Sequence, residues 1–139
     1  MPDRRYDLED RLLAFAAAVL AVTDTFKRSR AGNHLADQLL RAATSPYGHH
    51  GEAEGAESRD DFLHKMRVCY KELRESRRWL RLAESAALSS ATESMEKLLA
   101  ESDELIRIFA ASIRTAKKNA NASSVAEPPD DAQRPTLNT

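Results

Sequence analysis

The chain has few of the residues that cross-link or anchor small proteins. Among its 139 residues Cys69 is the only cysteine, so no disulfide framework can form. No stretch approaches the roughly 20 consecutive apolar residues of a membrane span. The N-terminal MPDRRYDLEDR is too charged for a signal peptide. The sequence therefore predicts one domain in a reducing cytoplasm, with no membrane partner.

Signatures of catalysis are also missing. No Gly-x-Ser-x-Gly occurs, the glycines follow no predicted strand, and Cys69 lies on an apolar helix face, where a thiol is usually a small buried hydrophobe. No acid or base can be assigned to a reaction. We therefore expect a protein that is not an enzyme.

The formal net charge of −1 provides no global field that would recruit nucleic acid.

What the chain does have is a helical repeat. Four stretches carry apolar residues at alternating spacings of four and three, at 8–26, 35–46, 62–83 and 95–116. A spacing that averages about 3.5 residues keeps one stripe against a neighbouring helix over several turns. Short connections between long helices force antiparallel neighbours. The sequence predicts an all-α, antiparallel up-down four-helix bundle.

Capping residues suggest where the helices end. Gly32 and Asn33 offer a left-handed stop followed by an N-cap, and Ser58 with Asp61 has the spacing of a capping box. The last 21 residues contain three prolines and little to bury, which predicts a disordered tail. The predicted bundle is 1–118, with helices at 7–29, 33–54, 58–84 and 90–118, and the predicted tail is 119–139.

The second predicted helix contains residues that oppose helix formation. Pro46 removes a backbone hydrogen bond, and each of Gly48, Gly51 and Gly55 costs up to about 1 kcal/mol at an interior helical site. Intrinsic propensity would therefore let this segment fray or kink, and other contacts must compensate for it. The three glycines share one face with Thr44, which favours a tight helix crossing over a ligand cradle.

A basic row runs along the third predicted helix, away from its apolar stripe. Such a row could follow a phosphate backbone, with salt-dependent affinity. The alternative is a solvated face whose charges pair with nearby acids or with another subunit. The candidate nucleic-acid-binding residues are Arg67, Lys71, Arg74, Arg77, Arg78 and Arg81.

Additional apolar residues fall outside the main stripes. A monomeric bundle needs only one apolar stripe on each helix. A second apolar stripe indicates another surface that must be buried, and oligomerisation is the simplest explanation for it. Trp79 is then either an interface anchor or part of a broad core face. The candidate interface residues are Leu13, Leu20, Val68, Trp79, Leu82, Leu98 and Leu105.

One histidine–carboxylate pair invites a metal interpretation. His50 and Glu54 are four residues apart and share a helix face, as metal ligands on helices often do. Metal sites in bundles repeat such a pair on a second helix with inward carboxylates, and no Glu-x-x-His occurs here. We predict no metal and no other cofactor.

Three short patterns in the second and third helices carry a family resemblance. They are D-Q-x-x-R-[AS]-x-x-S at 37–45, S-R-x-[DE]-F at 58–62 and K-E-x-x-E-[ST]-x-x-W-L at 71–80. With them the chain resembles, over about residues 7–118, the bacterial proteins encoded in intervening sequences of 23S ribosomal RNA genes. It departs at 45–53, where many members read S-I-P-x-N-I-A-E-G and a histidine here replaces the asparagine.

The resemblance implies an up-down bundle that assembles into a homo-oligomeric ring, pentameric in known relatives, with no known catalytic activity. In one branch, the accessory protein of diversity-generating retroelements, the ring presents a basic surface to nucleic acid and a reverse transcriptase. Two hypotheses follow for this chain. It is either an accessory factor for RNA, DNA or a ribonucleoprotein, or a protein–protein interaction scaffold that binds no nucleic acid.

Overall fold

The computed structural model describes residues 4–126, and the side chains of residues 8–122. Its helices are α1 (Arg4–Thr23), α2 (Arg30–Glu54), α3 (Arg59–Ser85) and α4 (Thr92–Ala126). Each helix packs on the next, and α4 closes the bundle against α1. Consequently α1 lies diagonally opposite α3, and α2 lies opposite α4. The prediction of an all-α four-helix bundle is confirmed.

The core is built from one stripe of each helix. Phe15, Leu39, Leu73 and Phe109 are among its fully buried side chains. Two serines occupy apolar positions of this stripe on α3 and α4. The hydroxyl of Ser76 donates to the carbonyl oxygen of Glu72, and that of Ser102 to Leu99, so neither is buried without a partner.

The two loops at one end of the bundle are joined to each other. The backbone N–H of Lys27 donates to the carbonyl oxygen of Leu88 over 2.7 Å. The Thr25 and Ser89 hydroxyls lie 2.6 Å apart, and Phe26 and Ser89 form an isolated bridge. These contacts tie the α1–α2 turn to the α3–α4 turn, as an up-down arrangement requires.

The junction between α1 and α2 differs from the prediction. Helix α1 ends at Thr23 rather than near residue 29, and α2 begins at Arg30 rather than at 33. Ser29 is the N-cap, and its Oγ accepts a hydrogen bond from the Gly32 N–H over 3.1 Å. Gly32 therefore lies inside α2. A Cβ there would lie 1.9 Å from the Lys27 carbonyl oxygen, so the glycine permits close approach of the loop.

The start of α3 was predicted correctly and the end of α4 was not. The Asp61 N–H donates to Ser58 Oγ over 3.0 Å, which establishes Ser58 as an N-cap. Helix α4 begins at Thr92 and continues to Ala126 instead of ending near 118. Residues 119–126 contain neither proline nor glycine, so nothing in them stops the helix. The remainder of the predicted tail, 127–139, lies outside the described residues.

Helix α2 continues through Pro46 to Glu54, the end predicted for it, despite the weak helical propensity of this segment. Pro46 is buried, and its carbonyl oxygen accepts a hydrogen bond from the Cys69 thiol of α3. Burial between α2 and α3 thus outweighs the weak helical propensity. The predicted tight crossing is absent within this chain, since a Cβ added at Gly48 or Gly51 would meet no described atom within 4 Å.

Candidate nucleic-acid interface

The basic row of α3 faces solvent. It carries the positive charge of five side chains along about 21 Å of helix, at 1.5 Å per residue. Exposure leaves these charges accessible to a large anionic partner. The exposed residues of the row are Arg67, Lys71, Arg74, Arg78 and Arg81.

Arg77 differs from the other five candidates. It is half-buried at the boundary between α3 and α4, where its guanidinium forms an ion pair with the carboxylate of Asp103 on α4. This pair links two helices of the bundle. The charge of Arg77 is therefore already paired within the protein, and Arg77 is not a candidate phosphate ligand.

Two acids in the middle of α3 have partners outside the basic row. Glu72 Oε1 lies 2.9 Å from Nδ1 of His49 on α2. Glu75 Oε1 accepts a hydrogen bond from the Trp79 indole N–H over 3.1 Å. Glu72 thus faces α2, and Glu75 bonds within its own helix. None of the five exposed residues of the basic row forms an ion pair with another described residue.

The aromatic residue nearest the basic row is already occupied. The Arg74 guanidinium lies over the Tyr70 ring, 5.6 Å from its centroid. Such a cation–π contact covers the ring face that a nucleobase would need. The surface is therefore suited to phosphate contacts rather than to base stacking.

The candidate interface residues divide into two groups. Leu13, Leu20 and Leu82 are 48%, 51% and 46% exposed, and Val68 and Trp79 are half-buried. Leu98 and Leu105, in contrast, are 5% and 0% exposed and belong to the core of this chain. Their assignment to an interface was wrong, because α4 buries a wider stripe than its four-and-three spacing implied.

The outer face of α1 is apolar, and of this face only Leu13 and Leu20 were predicted from the sequence. No charged residue occurs between Arg11 and Asp24, and this charge-free run is the sequence feature that indicates an apolar outer face. Beside it, a groove of about 440 Å³ runs between α1 and α4, below the ion pair of Arg11 with Glu101. The exposed apolar residues of this face are Leu13, Ala14, Ala17, Ala18, Leu20 and Ala21.

Cys69 lies in the interior of the bundle, and this position determines its reactivity. Cys69 is fully buried, and burial together with the nearby charge of Glu72 raises its pKa to about 12. The thiol therefore stays protonated and is a poor nucleophile.

Among the described residues, no three His, Cys, Asp or Glu side chains gather in a way that could hold a metal ion. None of the described helices is long and apolar enough to cross a membrane.

Fold and surface together define a four-helix-bundle protein with one strongly basic and one apolar outer face. The chain belongs to the 23S rRNA-intervening sequence protein family, whose model matches residues 6–111. This confirms the resemblance drawn from the second and third helices.

A solved structure shows the same fold. The crystal structure of a protein of unknown function from the S23 ribosomal protein family of Bacteroides thetaiotaomicron is similar, with a TM-score of 0.73 and 26% sequence identity. The similarity covers 81% of this chain and 99% of that chain. No curated protein matches.

Proposed function

We propose that this protein is a non-catalytic, homo-oligomeric accessory factor for a nucleic acid or a ribonucleoprotein. The observation that supports it is the exposed basic row of α3 from Arg67 to Arg81, whose five exposed residues form no ion pair with another described residue. Each phosphate that a lysine or arginine neutralises releases a counterion, so affinity should fall steeply with salt. The family resemblance adds a reverse transcriptase as a candidate protein partner.

The first test is binding of labelled RNA and DNA between about 50 and 200 mM salt, the range in which such contacts lose much of their affinity. We expect salt-sensitive binding by the wild type and its loss in Arg74→Glu/Arg78→Glu. The matched control is Arg30→Glu/Arg41→Glu, which changes the net charge equally but at exposed sites on α2.

Two outcomes would contradict the proposal. If the wild type shows no salt-sensitive binding, the nucleic-acid function is lost and the interaction-scaffold alternative takes its place. If the α2 control weakens binding as much as the α3 variant, total charge rather than the basic row of α3 governs affinity.

Self-association is the second part of the proposal. The apolar face of α1 and the patch formed by Trp79 and Leu82 on α3 lie on diagonally opposite helices. Two different apolar surfaces on opposite sides of one chain suit a head-to-tail contact, in which the α1 face of one copy covers the α3 patch of the next. Repetition of such a contact closes a ring when the rotation permits.

We therefore expect an oligomer at micromolar concentration by light scattering or ultracentrifugation, and monomers for Leu20→Glu and for Leu82→Glu. Mixing these two variants should restore heterodimers, because each retains the surface that the other lacks. A symmetric contact between two α1 faces would instead leave Leu82→Glu assembled. A monomeric wild type would exclude the oligomer altogether.

A further inference from the structure

We propose that the nucleic-acid surface extends from α3 across the C-terminal half of α4, and that its ligand is a double helix held through its phosphates. This inference rests on the proposed function. It adds binding residues that the sequence analysis did not identify, and it assigns the structural class of the ligand.

The C-terminal half of α4 has an unbalanced charge. From residue 105 to residue 126 the chain has no aspartate or glutamate. The basic side chains in this stretch are exposed, and none of them forms an ion pair with another described residue. They are Arg107, Arg114, Lys117 and Lys118.

The ion pair between Arg77 and Asp103 shows which way these side chains face. It places Asp103 on the side of α4 that adjoins α3. Arg107 and Arg114 follow Asp103 by four and eleven residues, about one and three helical turns, so they lie close to the same stripe. Lys117 also falls there. The α4 row therefore lies beside α3 and is not on the far side of the bundle.

The two basic rows also coincide along the bundle axis. Because α3 and α4 are antiparallel, a residue that follows Asp103 lies level with one that precedes Arg77. At 1.5 Å per residue, Arg114 lies about 16 Å beyond Asp103, and Arg67 lies about 15 Å from Arg77 in the same direction. The helix axes of such a pair are about 8–10 Å apart. The result is a two-row basic surface in which the acid at the boundary, Asp103, is neutralised by Arg77.

A double helix matches this surface better than a single strand does. Single strands gain much of their affinity by stacking bases on aromatic rings. Here Tyr70 is covered by Arg74, and Phe109, the aromatic residue in the C-terminal half of α4, is fully buried. Trp79 of α3 is half-buried, and its indole N–H is bonded to Glu75. A duplex instead presents phosphates on both sides of a groove, about 12 Å wide for the major groove of B-DNA. The two basic rows lie on adjacent helices whose axes are about 8–10 Å apart, and each row can contact one of these strands.

The test compares duplex and single-stranded oligonucleotides of equal length over a salt series, using the full chain. Neutralising two α4 charges in Arg114→Gln/Lys117→Gln should reduce the slope of log K against log salt for duplex by about 1.8, or 0.9 per lost phosphate contact. The control Arg30→Gln/Arg41→Gln on α2 should leave the slope unchanged. All four sites are exposed, and circular dichroism verifies that both variants are folded.

The outcomes separate this inference from the proposed function. If Arg74→Glu/Arg78→Glu weakens duplex binding and the α4 variant does not, the extension onto α4 is wrong while the nucleic-acid function stands. Tighter binding of single strands than of duplex would overturn the assignment of the ligand. If neither form of nucleic acid binds, the proposed function fails together with this inference.

Discussion

Leu105→Glu is expected to unfold the protein, whereas Leu13→Glu should leave the chain folded. The Leu105 side chain is fully buried in the core, and Leu13 is 48% exposed on the outer face of α1. An unpaired carboxylate in the core costs several kcal/mol, and the leucine packing is lost as well. A domain of this size is stable by only about 5–15 kcal/mol, so this loss consumes much or all of its stability.

Urea denaturation followed by far-ultraviolet circular dichroism measures this difference. The Leu105→Glu chain should have little helix in water, and Leu13→Glu should keep a cooperative transition. Working at low protein concentration limits any stabilisation of the wild type by assembly. A Leu105→Glu transition near the wild-type midpoint would contradict burial of this side chain and return Leu105 to the candidate interface.

Acidification is expected to destabilise the bundle through His50. This side chain is 4% exposed, and its Nδ1 has no hydrogen-bond partner among the described residues. Its ring meets Phe109 of α4 edge-on at 6.1 Å, and its Nε2 lies 3.6 Å from Glu54 Oε1. Burial lowers the pKa of His50 below 6.5, with Glu54 and then Glu9 of α1 opposing the change. The folded protein therefore holds this imidazole neutral at neutral pH.

The direction of the pH effect follows from proton binding. The unfolded chain protonates this histidine near pH 6.5 and the folded chain only at lower pH, so protons favour unfolding in between. The free energy of unfolding is therefore highest above about pH 6.5, where His50 is neutral in both states. It decreases as the pH falls below that value. The loss from this one group is at most about 1.4 kcal/mol for each pH unit, until the folded-state pKa is reached.

Urea denaturation between about pH 8 and pH 5, across the unfolded-state pKa near 6.5, tests this prediction. Replacing the side chain in His50→Leu removes the titrating group and should flatten the curve of stability against pH. His64→Leu, at an exposed site on α3, serves as the control and should keep the wild-type slope. Parallel curves for the wild type and His50→Leu would show that acid acts through other groups.

Several features of the fold and the candidate site were predictable because they depend on neighbouring residues in the chain. The N-cap at Ser58 follows from a local hydrogen bond, and the exposed row from Arg67 to Arg81 follows from helical spacing. The end of α1 was less predictable. Gly32 was interpreted as a helix stop, yet its role is to admit the Lys27 carbonyl, a contact that a one-dimensional pattern does not show.

The stability of α2 was decided by packing. Intrinsic propensity predicts a weak segment after Pro46, but α2 continues to Glu54 with Ala53 and His50 buried. Burial against other helices outweighs costs of about 1 kcal/mol per glycine. Gly48 and Gly51 meanwhile face open space, so their small size serves no crossing within this chain.

Apolar periodicity and charge spacing belong to each helix separately, so the four amphipathic helices and the basic row of α3 could be predicted from the chain alone. The family resemblance came from the short motifs of α2 and α3. The packed bundle was needed to show that Leu98 and Leu105 are core and that the basic residues of α4 lie beside those of α3. How far a helix is rotated, and at what level it meets its neighbour, depends on how side chains from several helices interlock. No single helix contains that information.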